Sequence, residues 1–274
     1  MRRLEGRVAV VTGAASGIGR ATARELAARG CALALVDVDA PGLARLAAEL
    51  SGDGDDGAPG ARRVTVHAVD VADRTRMAAL PAKVVEAHGA VHVVVNNAGV
   101  ATLASVEDHS LDDYDWLLGI NFYGVLHGCQ FFLPHLRAQD WGHIVNVSSM
   151  FGFLGLPRQS AYCASKAAVR ALSEALWAEL AGTNVGVTSV HPGGIRTSIV
   201  RSARADDEGE REATQAMFDR YARPPEVVAR RIVRAIERGQ WRIRIGVEAV
   251  LADWMKRAFP VATHRLVAWR FGRR

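Results

Sequence analysis

Short β-rich runs separated by longer stretches of helical periodicity constrain this chain more than any other feature. Residues 8–12, 32–37, 64–69, 91–96, 143–148, 185–190 and 241–245 are mostly continuous apolar runs rather than strict alternations. A strand that is apolar on both sides must be covered on both faces, as in parallel sheets. Between these runs, Leu43, Leu46, Ala47 and Leu50 fall on one helical face, as do Leu172, Leu176 and Leu180. The alternation predicts an α/β fold: a single Rossmann-type doubly wound parallel sheet of about seven strands, with helices on both faces. One domain is expected over residues 1–246, followed by a C-terminal basic helical extension over 247–274. The polar stretch 51–60 reads as a connector before the third strand.

Composition narrows the class. With 274 residues, 49% apolar, 23% charged, and 26 Gly against 9 Pro, the chain has globular values. Disordered, collagenous and disulfide-scaffold classes are excluded. No apolar run reaches the roughly 18 residues needed to cross a bilayer. The basic start lacks an apolar run before Val8, so no signal peptide is expected and the cytoplasm is the expected location. Cys31, Cys129 and Cys163 are odd in number and widely spaced, which suits reduced thiols. Nine His without ligand spacing predict no metal site.

The net charge of +5 hides an asymmetry. Residues 1–219 hold 20 basic and 25 acidic side chains, and residues 220–274 hold 14 basic and 4 acidic. No nucleic-acid reading module accompanies this excess, so a basic appendage on a mildly acidic body is expected and nucleic acid is not an expected partner.

The first strand runs directly into Thr12-Gly13-Ala14-Ala15-Ser16-Gly17-Ile18-Gly19 and then into a helix. Such a turn lets backbone approach a pyrophosphate at a helix N-terminus. Asp37 ends the second strand, 18 residues after Gly19, where an acid can meet ribose hydroxyls. Together they point to a dinucleotide.

The glycine spacing is G-x-x-x-G-x-G, and here the sequence resembles the classical short-chain dehydrogenases/reductases. Their T-G-x-x-x-G-x-G turn matches residues 12–19. Asp70-Val71 falls where the family places an acid near the adenine, and Asn96-Asn97-Ala98-Gly99 matches its N-N-A-G. Pro192-Gly193-Gly194-Ile195-Arg196-Thr197 is similar to its P-G-x-x-x-T segment, whose Ile195 and Thr197 positions meet the nicotinamide carboxamide. The resemblance spans roughly residues 5–246. It implies cofactor contacts from Gly13, Ser16, Gly17, Ile18, Gly19, Asp37, Asp70, Val71, Asn97, Ala98, Gly99, Pro192, Gly193, Ile195 and Thr197, joined by Tyr162 and Lys166. A carboxylate at position 37 accepts from both ribose hydroxyls and repels a 2′-phosphate, and Ala15, Ser16 and Val38 supply no arginine in its place. NAD is therefore expected over NADP.

Tyr162 and Lys166 stand at i and i+4, on one face of a helix. A phenol ionises near pH 10 in isolation, and a neighbouring ammonium brings it toward neutrality. The chain has only three lysines, Lys83, Lys166 and Lys256, so a lysine here breaks its arginine habit. The resemblance implies that Ser149, 13 residues before Tyr162, holds the substrate oxygen, with Ser148 turned the other way by strand alternation. Asn121, inside the helical stretch 111–136, is an unfavourable helix residue that signals a kink or a special role. In the family it carries a water linked to the lysine. The implied catalytic tetrad is Asn121, Ser149, Tyr162 and Lys166, and the implied reaction interconverts a secondary alcohol and a ketone by hydride transfer.

Phe151, Phe153, Leu154 and Leu156 suggest an apolar substrate wall and thus a hydrophobic alcohol or ketone. The polar stretch 198–222 is expected to act as a substrate lid. Two other readings remain at this point: an acyl-carrier-linked ketoreductase using NADPH, and a non-catalytic NAD-binding sensor. Leu117, Leu118, Phe122, Val125, Leu126, Phe131, Phe132 and Leu133 exceed what one sheet face covers, so a homodimer or homotetramer is expected through this helix and the Tyr162 helix. In the tail, Val250, Leu251, Trp254, Met255, Ala258 and Phe259 recur at helical spacing, with Pro260 ending the helix and Asp253, Lys256 and Arg257 off the stripe. That stripe either packs on protein or makes peripheral membrane contact.

Overall fold

The computed structural model describes residues 2–51 and 63–272. The connector expected at 51–60 therefore lies outside the described residues beyond Ser51, as do Arg273 and Arg274. In chain order the strands are β1 (Val8–Thr12), β2 (Ala32–Asp37), β3 (Val64–Ala68), β4 (Val93–Asn96), β5 (Thr102–Leu103), β6 (Gly142–Val147), β7 (Val185–Pro192), β8 (Arg204–Ala205) and β9 (Arg242–Ile245). The helices are α1 (Gly17–Ala28), α2 (Ala40–Ser51), α3 (Arg74–His88), α4 (Leu111–Leu118), α5 (Gly124–Arg137), α6 (Ser160–Glu179), α7 (Glu208–Tyr221), α8 (Pro225–Arg238), α9 (Val247–Ala258) and α10 (Pro260–Phe271).

Seven strands form one parallel sheet in the order β3-β2-β1-β4-β6-β7-β9, the doubly wound arrangement expected from the sequence. Alternate residues serve opposite faces. Ala9, Val11, Leu33, Leu35, Val93 and Val95 pack with Leu26 of α1, Leu43 and Leu46 of α2, and Ile232 and Ile236 of α8. Val8, Val10, Val36, Val94 and Ile144 pack on the other face with Met77 and Leu80 of α3, Phe132 of α5, and Val169 and Leu176 of α6. Each fully buried aliphatic side chain of this kind contributes about 1.5–3 kcal/mol. These two layers explain why the central strands β1, β2 and β4 are apolar almost throughout.

Register arithmetic fixes the site. The first strand pairs β2 on one side and β4 on the other, so the sheet order reverses beside β1. In an open parallel sheet the ligand crevice lies outside the C-terminal strand ends at such a reversal.

Two expectations are corrected. The helical stretch 111–136 is not one α-helix, because Gly119–Tyr123 winds as a π turn between α4 and α5, and Asn121 lies inside it. The polar stretch 198–222 is not simply a loop. It contains β8, which pairs with β5, and α7, whose side chains are all at least partly exposed and therefore leave no buried apolar stripe to read.

Candidate active site

The C-terminal ends of the strands surround a cavity of about 430 Å³. Thr12 binds its two halves together. Its hydroxyl accepts from the Asn97 and Ala98 amides at 2.9 and 3.0 Å, and Asn97 Nδ2 donates to the Thr12 carbonyl at 2.9 Å. Ser16 starts α1 without a side-chain cap hydrogen bond, and Ser16, Gly17 and Ile18 line the cavity. A helix N-terminus left in this state presents amide donors and a positive dipole end to an anion.

Asp37 lines the same cavity from the end of β2, with Oδ2 accepting from the Ala15 amide at 2.9 Å and Oδ1 from the Asp39 amide at 3.1 Å. Gly13, Asp70, Val71, Asn97, Ala98, Gly99, Pro192, Gly193, Ile195 and Thr197 also lie on its wall. Gly19 does not. A Cβ there would fall 2.0 Å from the Gly13 carbonyl oxygen and 2.5 Å from Asn97 Nδ2, so this glycine lets the helix close onto the turn from behind.

Helix α6 carries Tyr162 and Lys166 into the cavity, beside Ser149 at the end of β6. Ser148 and Ser149 follow the end of β6 and both line the cavity, but they differ in their bonding. The Ser148 hydroxyl donates to the Lys166 carbonyl at 2.7 Å, while Ser149 Oγ accepts from the Phe151 amide at 3.2 Å on the wall it shares with Tyr162. Lys166 Nζ donates to the Val147 carbonyl at 3.1 Å and lies 5.7 Å from the Tyr162 ring centre. Burial pushes the phenol up to about 12, with the polar Ser149 side chain acting against that rise, and burial lowers the Lys166 amine to about 8. The expected drop of the phenol caused by Lys166 is absent from this geometry. Desolvation is the largest cause of both shifts.

Asn121 stands behind the wall instead of on it. It is fully buried, bonds Val100 through both amide atoms, and donates to Ser165 Oγ at 3.1 Å. Its Oδ1 and Lys166 Nζ would lie 3.2 and 3.3 Å from a Cβ on Gly99, so any side chain at 99 would wedge between them. Of the predicted apolar wall only Phe151 lines the cavity. Phe153 turns away, 4.4 Å from the His191 ring and under the Arg242 guanidinium at 4.9 Å. Cys163 is buried, with its sulfur accepting from the Leu156 amide at 3.4 Å.

Sequence reasoning missed Leu103, Trp116 and Ile120, which complete the wall with Phe218 of α7. No local signal marks them, because β5, α4 and α7 meet only in the folded chain. That meeting is held by charge. Arg204 pairs with Asp113 at 2.6 Å and lies 3.7 Å over the Trp116 ring, and Arg158 reaches both Asp206 and Glu210. Arg158 has a φ of 61°, an uncommon conformation for a residue with a Cβ. Among the described residues no group of three or more His, Cys, Asp or Glu is placed to hold a metal ion.

A family model described as short chain dehydrogenase matches residues 7–208. The chain belongs to that family. It is therefore an NAD(P)-dependent oxidoreductase acting on CH–OH or C=O groups. Within the family, it is 42% identical to SadH of Mycobacterium tuberculosis, named as an oxidoreductase, over 98% of this chain and 96% of that one. It is 39% identical to D-threitol dehydrogenase of Mycolicibacterium smegmatis, over 83% and 85% of the two chains. A family member from Burkholderia phymatum, solved in complex with NAD, superposes with a TM-score of 0.84 at 31% identity, covering 99% of this chain and 97% of that one.

Proposed function

We propose that this enzyme interconverts a hydrophobic, uncharged secondary alcohol and its ketone with NAD. The observation that carries the substrate class is the wall around Ser149 and Tyr162. Leu103, Trp116, Ile120, Phe151 and Phe218 line it, and among the described residues the cavity's charged lining is limited to Asp37, Asp70 and Lys166. A substrate carboxylate or phosphate would find no cationic partner there except the lysine, and burying a charge without a partner is costly.

The chain's residues fit a dinucleotide. The uncapped start of α1 offers amide donors for a pyrophosphate, and Asp37 offers a carboxylate at the distance along the chain that suits ribose hydroxyls. Val38 is largely exposed beside it and gives no cation for a 2′-phosphate, which supports NAD. When bound, the cofactor supplies the hydride acceptor or donor.

The remaining work falls to side chains. Ser149 holds the substrate oxygen and stabilises charge developing on it. Tyr162 exchanges the proton at that oxygen. With its phenol at about 12, Tyr162 is an acid at neutral pH, suited to protonating a carbonyl oxygen during reduction. Lys166 holds its ammonium behind the phenol, and Asn121 acts by positioning the loop after β4 against α6. The arrangement of all four, with the acid–base group facing the Leu103, Trp116, Phe151 and Phe218 wall, favours turnover over a sensor role.

The partly or fully exposed Leu111 of α4, Phe122 and Tyr123 of the π turn, and Phe131 of α5 support a homo-oligomer built on these helices and α6. Light scattering that gives a 29.5 kDa particle at micromolar concentration would refute it.

The functional reading is tested by turnover with NADH and NADPH against matched panels of neutral and carboxylated ketones and alcohols. NADH with neutral apolar substrates is expected to give the highest kcat/KM. Preference for carboxylated substrates overturns the substrate class, and preference for NADPH overturns the cofactor assignment.

A further inference from the structure

The first C-terminal helix wears its apolar stripe on the outside. Ala249, Ala252 and Asp253 of α9 face the body, whereas Val247, Val250, Leu251 and Trp254 face outward. Asp253 is 3% exposed, against 75% for Val247, 51% for Leu251 and 59% for Trp254. The cause is Asp253 itself. Its Oδ1 accepts from Arg242 and its Oδ2 from Arg244, each at 2.7 Å, and both arginines belong to β9. Rolling the helix over to bury the stripe would break both pairs and strand their charges.

The second helix extends this outward surface. Thr263 is the buried residue of α10, and its single hydroxyl hydrogen is shared between the Phe259 carbonyl at 2.7 Å and the Met255 carbonyl of α9 at 2.9 Å. Val261, Leu266, Trp269 and Phe271 are exposed. Residues 254–272 contain Lys256, Arg257, Arg265 and Arg270 and no Asp or Glu. Over 254–272 the surface is thus apolar, aromatic and of one charge sign, and Glu248 at the start of α9 is paired with Arg223.

That charge decides between occupants. A second copy joined across a two-fold axis would set the same cations against one another. An anionic lipid surface accepts both features, with Trp and Phe in the headgroup layer and the guanidinium groups on lipid phosphates. Neither helix is long and apolar enough to cross a membrane, so the contact is peripheral. We propose that α9 and α10 dock this enzyme on anionic bilayers, independently of which nicotinamide cofactor or substrate it uses.

The test is flotation of the full chain with phosphatidylcholine vesicles, with and without phosphatidylglycerol. The chain is expected to float with the anionic vesicles at low salt and to be released by high salt. The R257E/R265E/R270E variant should lose about a hundredfold or more in partitioning, from three reversed surface charges. The L251S/W254S variant should also lose flotation. Neither variant alters a cavity residue, and unchanged turnover of a soluble substrate shows that each is folded. If either fails to fold, tryptophan emission of the unaltered chain serves instead: a blue shift on adding anionic vesicles, reversed by salt, supports the proposal, and no shift overturns it. Failure of the full chain to float also overturns it, as does equal flotation of the charge-reversed variant. A chain that does not float, but whose assembly dissociates in L251S/W254S by sedimentation, would assign the patch to a second copy.

Discussion

Asn121 holds both backbone polar groups of Val100, accepting the N–H on Oδ1 at 2.8 Å and donating Nδ2 to the carbonyl at 2.9 Å. The side-chain amide thus pairs with the loop after β4 as a neighbouring strand would. Its third bond, to Ser165 Oγ, ties that loop to the helix of Tyr162 and Lys166. Asn121→Ala leaves these partly buried groups unpaired and is expected to cost about 1–3 kcal/mol of stability. Chemical denaturation measures it, and an unchanged unfolding midpoint would contradict the bracing role.

Tyr162→Phe removes the proton donor while keeping the ring. Turnover should fall to background, with dinucleotide affinity held within a few-fold, because the phenol is one contact among many on the cavity wall. Retention of a tenth or more of the parent kcat would reject the assignment.

Direction and pH should be coupled. Oxidation needs Tyr162 as phenolate, and burial raises the phenol to about 12, so the competent fraction grows as pH rises toward that value. Oxidation should therefore accelerate from pH 7 to 10, while reduction, which uses the neutral phenol, should not. Parallel pH profiles in the two directions would refute this.

Asp37→Ala with Val38→Arg removes the carboxylate and supplies a cation. The kcat/KM ratio should shift toward NADP by at least tenfold, about 1.4 kcal/mol in transition-state stabilisation. Steady-state kinetics with both cofactors checks it, and a ratio that does not move would show that Asp37 does not set the preference.

Acid should unfold this protein partly through its histidines. Burial lowers His143 and His191 to about 3 and His88 to about 4. Their folded values lie below the unfolded one, so the unfolded chain binds protons that the native state refuses once pH falls below 6.5. Stability is then lost between pH 6.5 and roughly 3, at about 1.4 kcal/mol per pH unit for each fully titrating histidine. His143→Gln should reduce the slope between pH 6.5 and 5 by one such contribution, read from denaturation midpoints at each pH.

The sheet was legible because two-sided burial writes itself into the central strands as apolar runs, such as Val8–Val11 and Val93–Val95, although β9 alternates Arg and Ile and β3 holds no fully buried residue. The strand ends were less so: β7 continues through His191 and Pro192, whose pairing with Arg244 and Ile245 no periodicity announces. The glycine turn, Asp37, Ser149 and the Tyr162–Lys166 pair were recognisable because their spacing is local. Trp116, Ile120 and Phe218 were not, because α4, the π turn and α7 reach the cavity from distant parts of the chain. Helix α7 hid because nothing in it is buried. The outward stripe of α9 could be seen in sequence, but its direction could not, since that depends on Asp253 finding Arg242 and Arg244.

The π turn at Gly119–Tyr123 has a consequence for insertions and deletions. Such a turn accommodates one residue more than an α-helix would over the same span, so α4 and α5 are out of phase by about 100°, the angle that one residue subtends. Deleting a single residue within 119–123 would let the two helices merge into one continuous rod with an ordinary hydrogen-bond ladder. Helix and sheet would survive that edit, but Asn121 would swing away from Val100. The fold thus carries a length marker, one residue long, whose loss regular secondary structure would conceal and the alignment of the loop after β4 with α6 would reveal.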